Sequence, residues 1–183
     1  GEVKLLDFGI AKLLNPSLSA VDAPVTRTEH RVLTPEYASP EHFKGESITT
    51  TSDIYSLGII LYELLCGCRP YEVANLTLPE MVERVCERDP PSPSQRMAPA
   101  GEARSGTRAD GRPTSAKVAE ARSTTGFRLR RALAGDLDAI VMKSLRKEPG
   151  HRYSSVALLV QDVTNFLEGL PVAARRGNRW YRL

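Results

Sequence analysis

At 183 residues, 41% hydrophobic and 26% charged, the chain has the composition of a soluble globular domain large enough for a core of its own. Its net charge of +3 is too small to argue for a nucleic-acid partner. The longest apolar run, residues 54–66, is interrupted by Ser56, Gly58 and Glu63 and falls short of the roughly 20 residues a membrane span requires, so it reads as a buried helix.

In chain order, no secretory signal opens the sequence; it starts at Gly1 and enters a strand-like run, Val3 to Leu6, directly. That start predicts that a segment is missing upstream. Asp7-Phe8-Gly9 breaks the run, Asn15-Pro16-Ser17 turns, and residues 17–31 are polar, which predicts a long mobile loop. A short helix is expected after Pro40. Thr51-Ser52-Asp53 reads as the start of a helix whose apolar positions are Ile54, Leu57, Ile60, Leu61, Leu64 and Leu65. Ile59 widens that face, and Gly67 and Pro70 end the helix. An amphipathic helix is expected over 79–88, closed by Pro90 and Pro91. Residues 92–125, rich in Pro, Gly, Ser, Ala and Arg and without periodicity, are expected to be a disordered insert. Two more helices follow: one over 136–147, stopped by Pro149, and one capped by Ser154 or Ser155 that ends near Gly169 and Pro171.

The charge is uneven. Arg96, Arg104, Arg108, Arg112, Lys117, Arg122, Arg128, Arg130 and Arg131 face only Glu102, Asp110 and Glu120 between Pro91 and Leu133. The stretch shows no aromatic interleaving of the kind nucleic-acid binders use, which favours a solvated loop over a nucleic-acid or lipid site. A basic-aromatic tail, 172–183, carries Arg175, Arg176, Arg179, Trp180, Tyr181 and Arg182; a juxtamembrane role for it stays open. Cys66, Cys68 and Cys86 follow no metal-ligand spacing and read as reduced thiols. His30, His42 and His151 pair with no nucleophile.

Four elements carry chemistry by their order. Asp7-Phe8-Gly9 is followed by a polar loop and Thr34-Pro35-Glu36-Tyr37-Ala38-Ser39-Pro40-Glu41. Then come Ser52-Asp53-Ile54-Tyr55-Ser56-Leu57-Gly58 and, far downstream, His151-Arg152-Tyr153. The series resembles the second half of eukaryotic-type serine/threonine protein kinases. Asp136-Leu137-Asp138, Lys147-Glu148-Pro149 and the run from Leu167 to Val172 are similar to bacterial members. The resemblance implies a mainly α, kinase-like C-lobe over residues 1–171, opened by a short strand, with the basic stretch as an insert. It also implies Mg2+ and ATP as cofactors of the complete domain and protein serine or threonine side chains as substrates.

Residue by residue, the resemblance makes Asp7 the magnesium ligand, since phosphoryl transfer needs a cation to neutralise phosphate charge. Phe8 and Gly9 open the activation segment, in which Ser17, Ser19, Thr26 and Thr28 are possible phosphorylation sites, Thr26 and Thr28 the favoured ones. Thr34 and Pro35 belong to the substrate-docking loop. Glu41 is expected to form a buried ion pair with Arg152. Asp53, at the start of the central helix, is expected to accept backbone hydrogen bonds from the catalytic loop, the alternative being a plain helix cap; Gly58 lies on the same helix. The sequence has no Gly-rich phosphate loop, no His-Arg-Asp, and no suitable Lys ahead of Asp7. The chain by itself is therefore expected to be inactive, marginally stable, and to expose apolar surface on its central helix. The alternative is a non-catalytic, kinase-like lobe kept as a docking or regulatory module. The complete protein is expected in the cytoplasm or anchored to a membrane with its kinase domain there.

Overall fold

The computed structural model describes residues 35–74, 76–98 and 114–176. The strand-like run 3–6, Asp7-Phe8-Gly9, the loop with Thr26 and Thr28, Thr34, residues 99–113 and the tail from 177 onward lie outside the described residues. Among the described residues the fold is helical and contains no strand.

A 3-10 turn (Pro35–Tyr37) leads to α1 (Pro40–Lys44) and α2 (Thr50–Cys66). α3 (Leu78–Val82) runs into a π-helical turn (Glu83–Glu87), followed by α4 (Pro93–Arg96), α5 (Ser115–Glu120), α6 (Gly126–Leu133) and α7 (Asp136–Ser144). A 3-10 turn (Pro149–His151), α8 (Val156–Leu167) and α9 (Ala173–Arg176) complete the described chain.

α2 is the axis of the packing. Thr49 caps it: the Thr51 amide donates to its hydroxyl at 3.4 Å, while the Thr49 amide donates to the Ser52 hydroxyl at 3.2 Å. The helix thus begins slightly ahead of the Thr51-Ser52-Asp53 start. Gly67, at φ +68°, stops it in the left-handed conformation that suits glycine. Ile54, Tyr55, Ile59, Tyr62 and Cys66 are sealed in the interior. Each such side chain contributes about 1.5–3 kcal/mol through burial. Leu57, Ile60, Leu61 and Leu65 are half-buried, and apolar exposure on α2 is concentrated at Leu64.

α7 crosses α2 and also contacts α4, α6, α8 and α9. Two apolar clusters meet along this crossing. One joins Tyr55, Ile59, Tyr62 and Cys66 to Val141, Leu145, Val118 and Leu133. The other joins Ile54 and Ile140 to Tyr153, Leu159 and Val172.

Four expectations change in physical detail. The helix over 79–88 becomes α3 plus a widened turn, and the Val85 carbonyl is met by the Lys147 ammonium at 2.6 Å. The helix over 136–147 stops at Ser144, and the Arg146 and Lys147 carbonyls beyond it accept from Arg152. The stretch 92–125 is not without structure at its ends. Ser92 caps α4, whose Ser94 amide and hydroxyl donate to Asp138, and α5 buries Val118 and Ala119. The packed body also runs past residue 171: Asp162 accepts from the amides of Ala173 and Ala174 at 2.7 and 2.8 Å and so caps α9.

α2 and α7 approach most closely at Gly58, where an added Cβ would lie 2.7 Å from the Ser144 Cβ and 3.2 Å from a Leu145 methyl. Gly58→Ala is expected to destabilise the fold by about 1–3 kcal/mol, outweighing alanine's helix preference. Ser144→Gly should recover part of that loss and Ser144→Ala none of it, since alanine keeps the Cβ. Urea unfolding of the variants checks this, and an undiminished midpoint for Gly58→Ala would sink it.

Candidate functional site

Ser39-Pro40-Glu41 starts α1 with proline in the first turn, where its missing amide costs nothing. The turn carries Glu41 inward, leaving it 2% exposed. Arg152 follows the short turn after Pro149, and its side chain is fully enclosed. The two meet head-on: Arg152 Nη1 donates to Glu41 Oε1 at 2.6 Å and Nη2 to Oε2 at 2.8 Å.

The rest of the guanidinium is also satisfied. Nη1 donates to the Thr51 carbonyl at 2.9 Å, Nη2 to that of Lys147 at 2.8 Å, and Nε to that of Arg146 at 2.7 Å. These bonds use all five donors an arginine owns. The guanidinium also lies over the Tyr55 ring, 4.9 Å from its centre. The Ser52 hydroxyl donates to Glu41 at 2.7 Å. Burial alone would raise the Glu41 pKa, but the hydrogen bonds from Arg152 and Ser52 overcome it and hold the carboxyl at about 2.

The segment ahead of Glu41 is anchored separately. The Ser56 hydroxyl donates to the Tyr37 carbonyl at 2.8 Å, and the Tyr37 hydroxyl donates to Glu63 at 3.0 Å. Arg69 stacks on the Tyr37 ring at 4.9 Å. Every one of these anchors sits on α2 or just beyond it.

Pro35 lies in the 3-10 turn and Asp53 stands exposed in the first turn of α2. Gly58 is buried five residues further on and serves the contact with α7 rather than the Glu41 junction. Asp7, Phe8, Gly9, Thr26, Thr28 and Thr34 lie outside the described residues. Among the described residues no cluster of His, Cys, Asp and Glu could hold a metal ion, and no helix is long and apolar enough to cross a membrane.

Sequence reasoning missed the residues that build the junction around the ion pair. Tyr55, Ser52, Ser56 and Tyr37 looked like helix or loop residues. Of the carbonyl partners of Arg152, only those of Arg146 and Lys147 had a local signal, in the break that Pro149 imposes.

A polar cleft of about 560 Å3 opens beside the junction, lined by Pro40, Lys44, Cys86, Asp89, Lys147 and Glu148 among others. Lys147 Nζ donates to the Tyr71 hydroxyl at 2.5 Å, and burial pulls its pKa down to about 8. Burial pushes the Cys66 thiol, deep in the core, up to about 12.

Residues 1–163 match the protein kinase domain. The chain belongs to the protein kinase domain family. It is 32% identical to the serine/threonine-protein kinase PknB of Mycobacterium leprae over 172 residues, 94% of this chain and 21% of that protein. It is 32% identical over 174 residues to a probable serine/threonine-protein kinase of Streptomyces coelicolor, 95% of this chain and 20% of that protein. A kinase of Corynebacterium efficiens is 38% identical over 102 residues, 56% of this chain and 18% of that protein. The chain therefore spans about a fifth of the length of the curated relatives it matches.

Within this kinase domain the pair makes a mutational prediction. Glu41→Gln or Arg152→Met should each cost about 3–5 kcal/mol, because each leaves a buried polar or charged group unpaired. The double replacement Glu41→Gln, Arg152→Met should cost less than the two singles summed, as a double-mutant cycle in urea would show. Additive losses would mean that the two residues act independently.

The pH dependence has a definite sign. The Glu41 carboxyl titrates lower in the folded chain than its ordinary value near 4.5. Its contribution is therefore present above about 4.5 and is lost as pH falls towards 2. Thermal melts of the native chain and Glu41→Gln should converge across that window; a constant difference between them would contradict the assignment.

Proposed function

We propose that the chain is the C-terminal part of the catalytic domain of an ATP-dependent serine/threonine kinase, which transfers the terminal phosphoryl group of Mg-ATP to serine or threonine side chains of proteins. The observation that carries this reading is the buried Glu41–Arg152 pair. It joins the start of α1 to the turn before α8 across 111 residues, in a chain that matches a kinase domain over residues 1–163.

In this reading the junction is a fixed base for the segment before it. Thr34 and Pro35 present the acceptor hydroxyl's surroundings, and Ser56 and Glu63 of α2 hold the adjoining Tyr37 still. Asp7 supplies a carboxylate to magnesium, and the metal neutralises charge on the nucleotide phosphates when bound. Phe8 and Gly9 open the activation segment, with Thr26 and Thr28 as its phosphorylation sites. Asp53 steadies a catalytic loop by accepting its backbone amides.

The 183 residues contain no His-Arg-Asp, and in this reading the general base and a second metal ligand belong to the complete catalytic domain. The chain by itself does not transfer phosphate. The complete protein acts on cytoplasmic protein substrates, whether or not it is anchored to a membrane.

The test follows phosphate from γ-labelled ATP into a pool of serine, threonine and tyrosine peptides with Mg2+ present. The whole protein encoded by the gene should label serine and threonine, and Asp7→Asn in it should cut the rate by roughly a hundredfold or more. The 183-residue chain should label nothing. A folded but inactive whole protein would transfer the assignment to a docking module, and labelling by the short chain would overturn the division of labour.

A further inference from the structure

The basic stretch reads in sequence as a solvated loop without aromatic interleaving, yet α6 places an aromatic ring among its arginines. Gly126–Leu133 forms a helix capped by Thr125, whose hydroxyl accepts from the Arg128 amide at 3.3 Å. Leu129 and Leu133, four residues apart, are 8% and 1% exposed and face the core. At 100° per residue the pole opposite them belongs to Arg131, with Phe127 and Arg128 beside it and Arg130 about a quarter turn away.

Phe127 is 74% exposed, and all three arginines are exposed around it. No described carboxylate forms an ion pair with Arg128, Arg130 or Arg131. Of the acidic groups near in the chain, Glu120 of α5 is exposed and two are engaged elsewhere. Asp136 pairs with Arg175 at 3.0 Å, and Asp138 accepts from Ser92 and Ser94. Arg122, just before α6, is turned inward onto the carbonyls of Leu64 and Leu65 and does not join this face.

We propose that the outer face of α6 is a docking surface for an anionic lipid bilayer, with Phe127 entering the headgroup–acyl boundary and Arg128, Arg130 and Arg131 meeting lipid phosphates. Charge complementarity and the single apolar anchor select this occupant. A bilayer offers a plane of anionic groups with an apolar layer directly beneath, which matches one ring ringed by three guanidiniums. A single-stranded nucleic acid would call for successive aromatic platforms, and Phe127 is the sole aromatic on α6. The inference does not rest on phosphoryl transfer and survives or fails separately from it.

Co-sedimentation of the full chain with vesicles tests it, comparing phosphatidylcholine alone with phosphatidylcholine containing phosphatidylserine. The chain should bind only the anionic vesicles, more weakly as salt rises. Each arginine changed to Gln should weaken binding about fivefold, and Phe127→Ala about tenfold. All of these positions are exposed, so thermal melts should not move. Phe127→Trp in a Trp180→Phe background should show a blue-shifted emission on anionic vesicles only. Absence of binding to anionic vesicles, binding indifferent to Phe127, or an unshifted tryptophan would each overturn the proposal. Tighter capture by a competing acidic peptide or single-stranded RNA would overturn it too, by giving the face to another partner.

Discussion

Arg152 ties together three separate parts of the chain. Its guanidinium is fully enclosed, bonded twice to Glu41 at the start of α1, once to Thr51 in the first turn of α2, and twice to the 146–147 turn. A buried arginine without partners would be ruinous, since several kcal/mol of hydration are lost with each charge taken from water. Here every donor finds an acceptor, so geometry around the site has little freedom. Beyond the end of α7 at Ser144, the Arg146 and Lys147 carbonyls both accept from the guanidinium.

Around that junction the fold is arranged on α2. One side of α2 receives α7 at the glycine contact, its N-terminal turn supplies Thr51 and Ser52 to the ion pair, and Ser56 and Glu63 reach Tyr37. The same helix therefore sets both the body of the domain and the position of the segment that follows Thr34. In the proposed reading that coupling keeps a docking segment in the orientation on which transfer would depend. α6 stands apart from this arrangement: its inner side closes the core with Leu129 and Leu133, and on its outer side Phe127 is exposed.

How much was legible depended on how local the signal was. The apolar spacing of α2 and α8, the stop at Gly67 and a serine cap at 154 or 155 are read within one or two turns of helix, where propensity and hydrogen-bond closure decide, and the structure selects Ser155. The order of the motifs was enough to indicate the kinase family. α6 was missed because two leucines among arginines and a glycine make a weak periodic signal, and its formation depends on what Leu129 and Leu133 can pack against. α4 and α5 were hidden by composition, since proline, serine and alanine read as loop until Asp138 and the core around Val118 are in place.

The sequence by itself determined the helical character of this chain, its membership of the kinase family, and which two residues, Glu41 and Arg152, are matched in charge. Those properties are written in residue type and spacing, which survive without knowledge of the fold. Only the tertiary structure decided that Tyr55 lies under the guanidinium, that Lys147 borders a cleft with its ammonium on neutral acceptors, and that Phe127 faces outward among arginines. Each of these depends on segments tens of residues apart arriving at one place, and the packing of α2 against α7 brings them there.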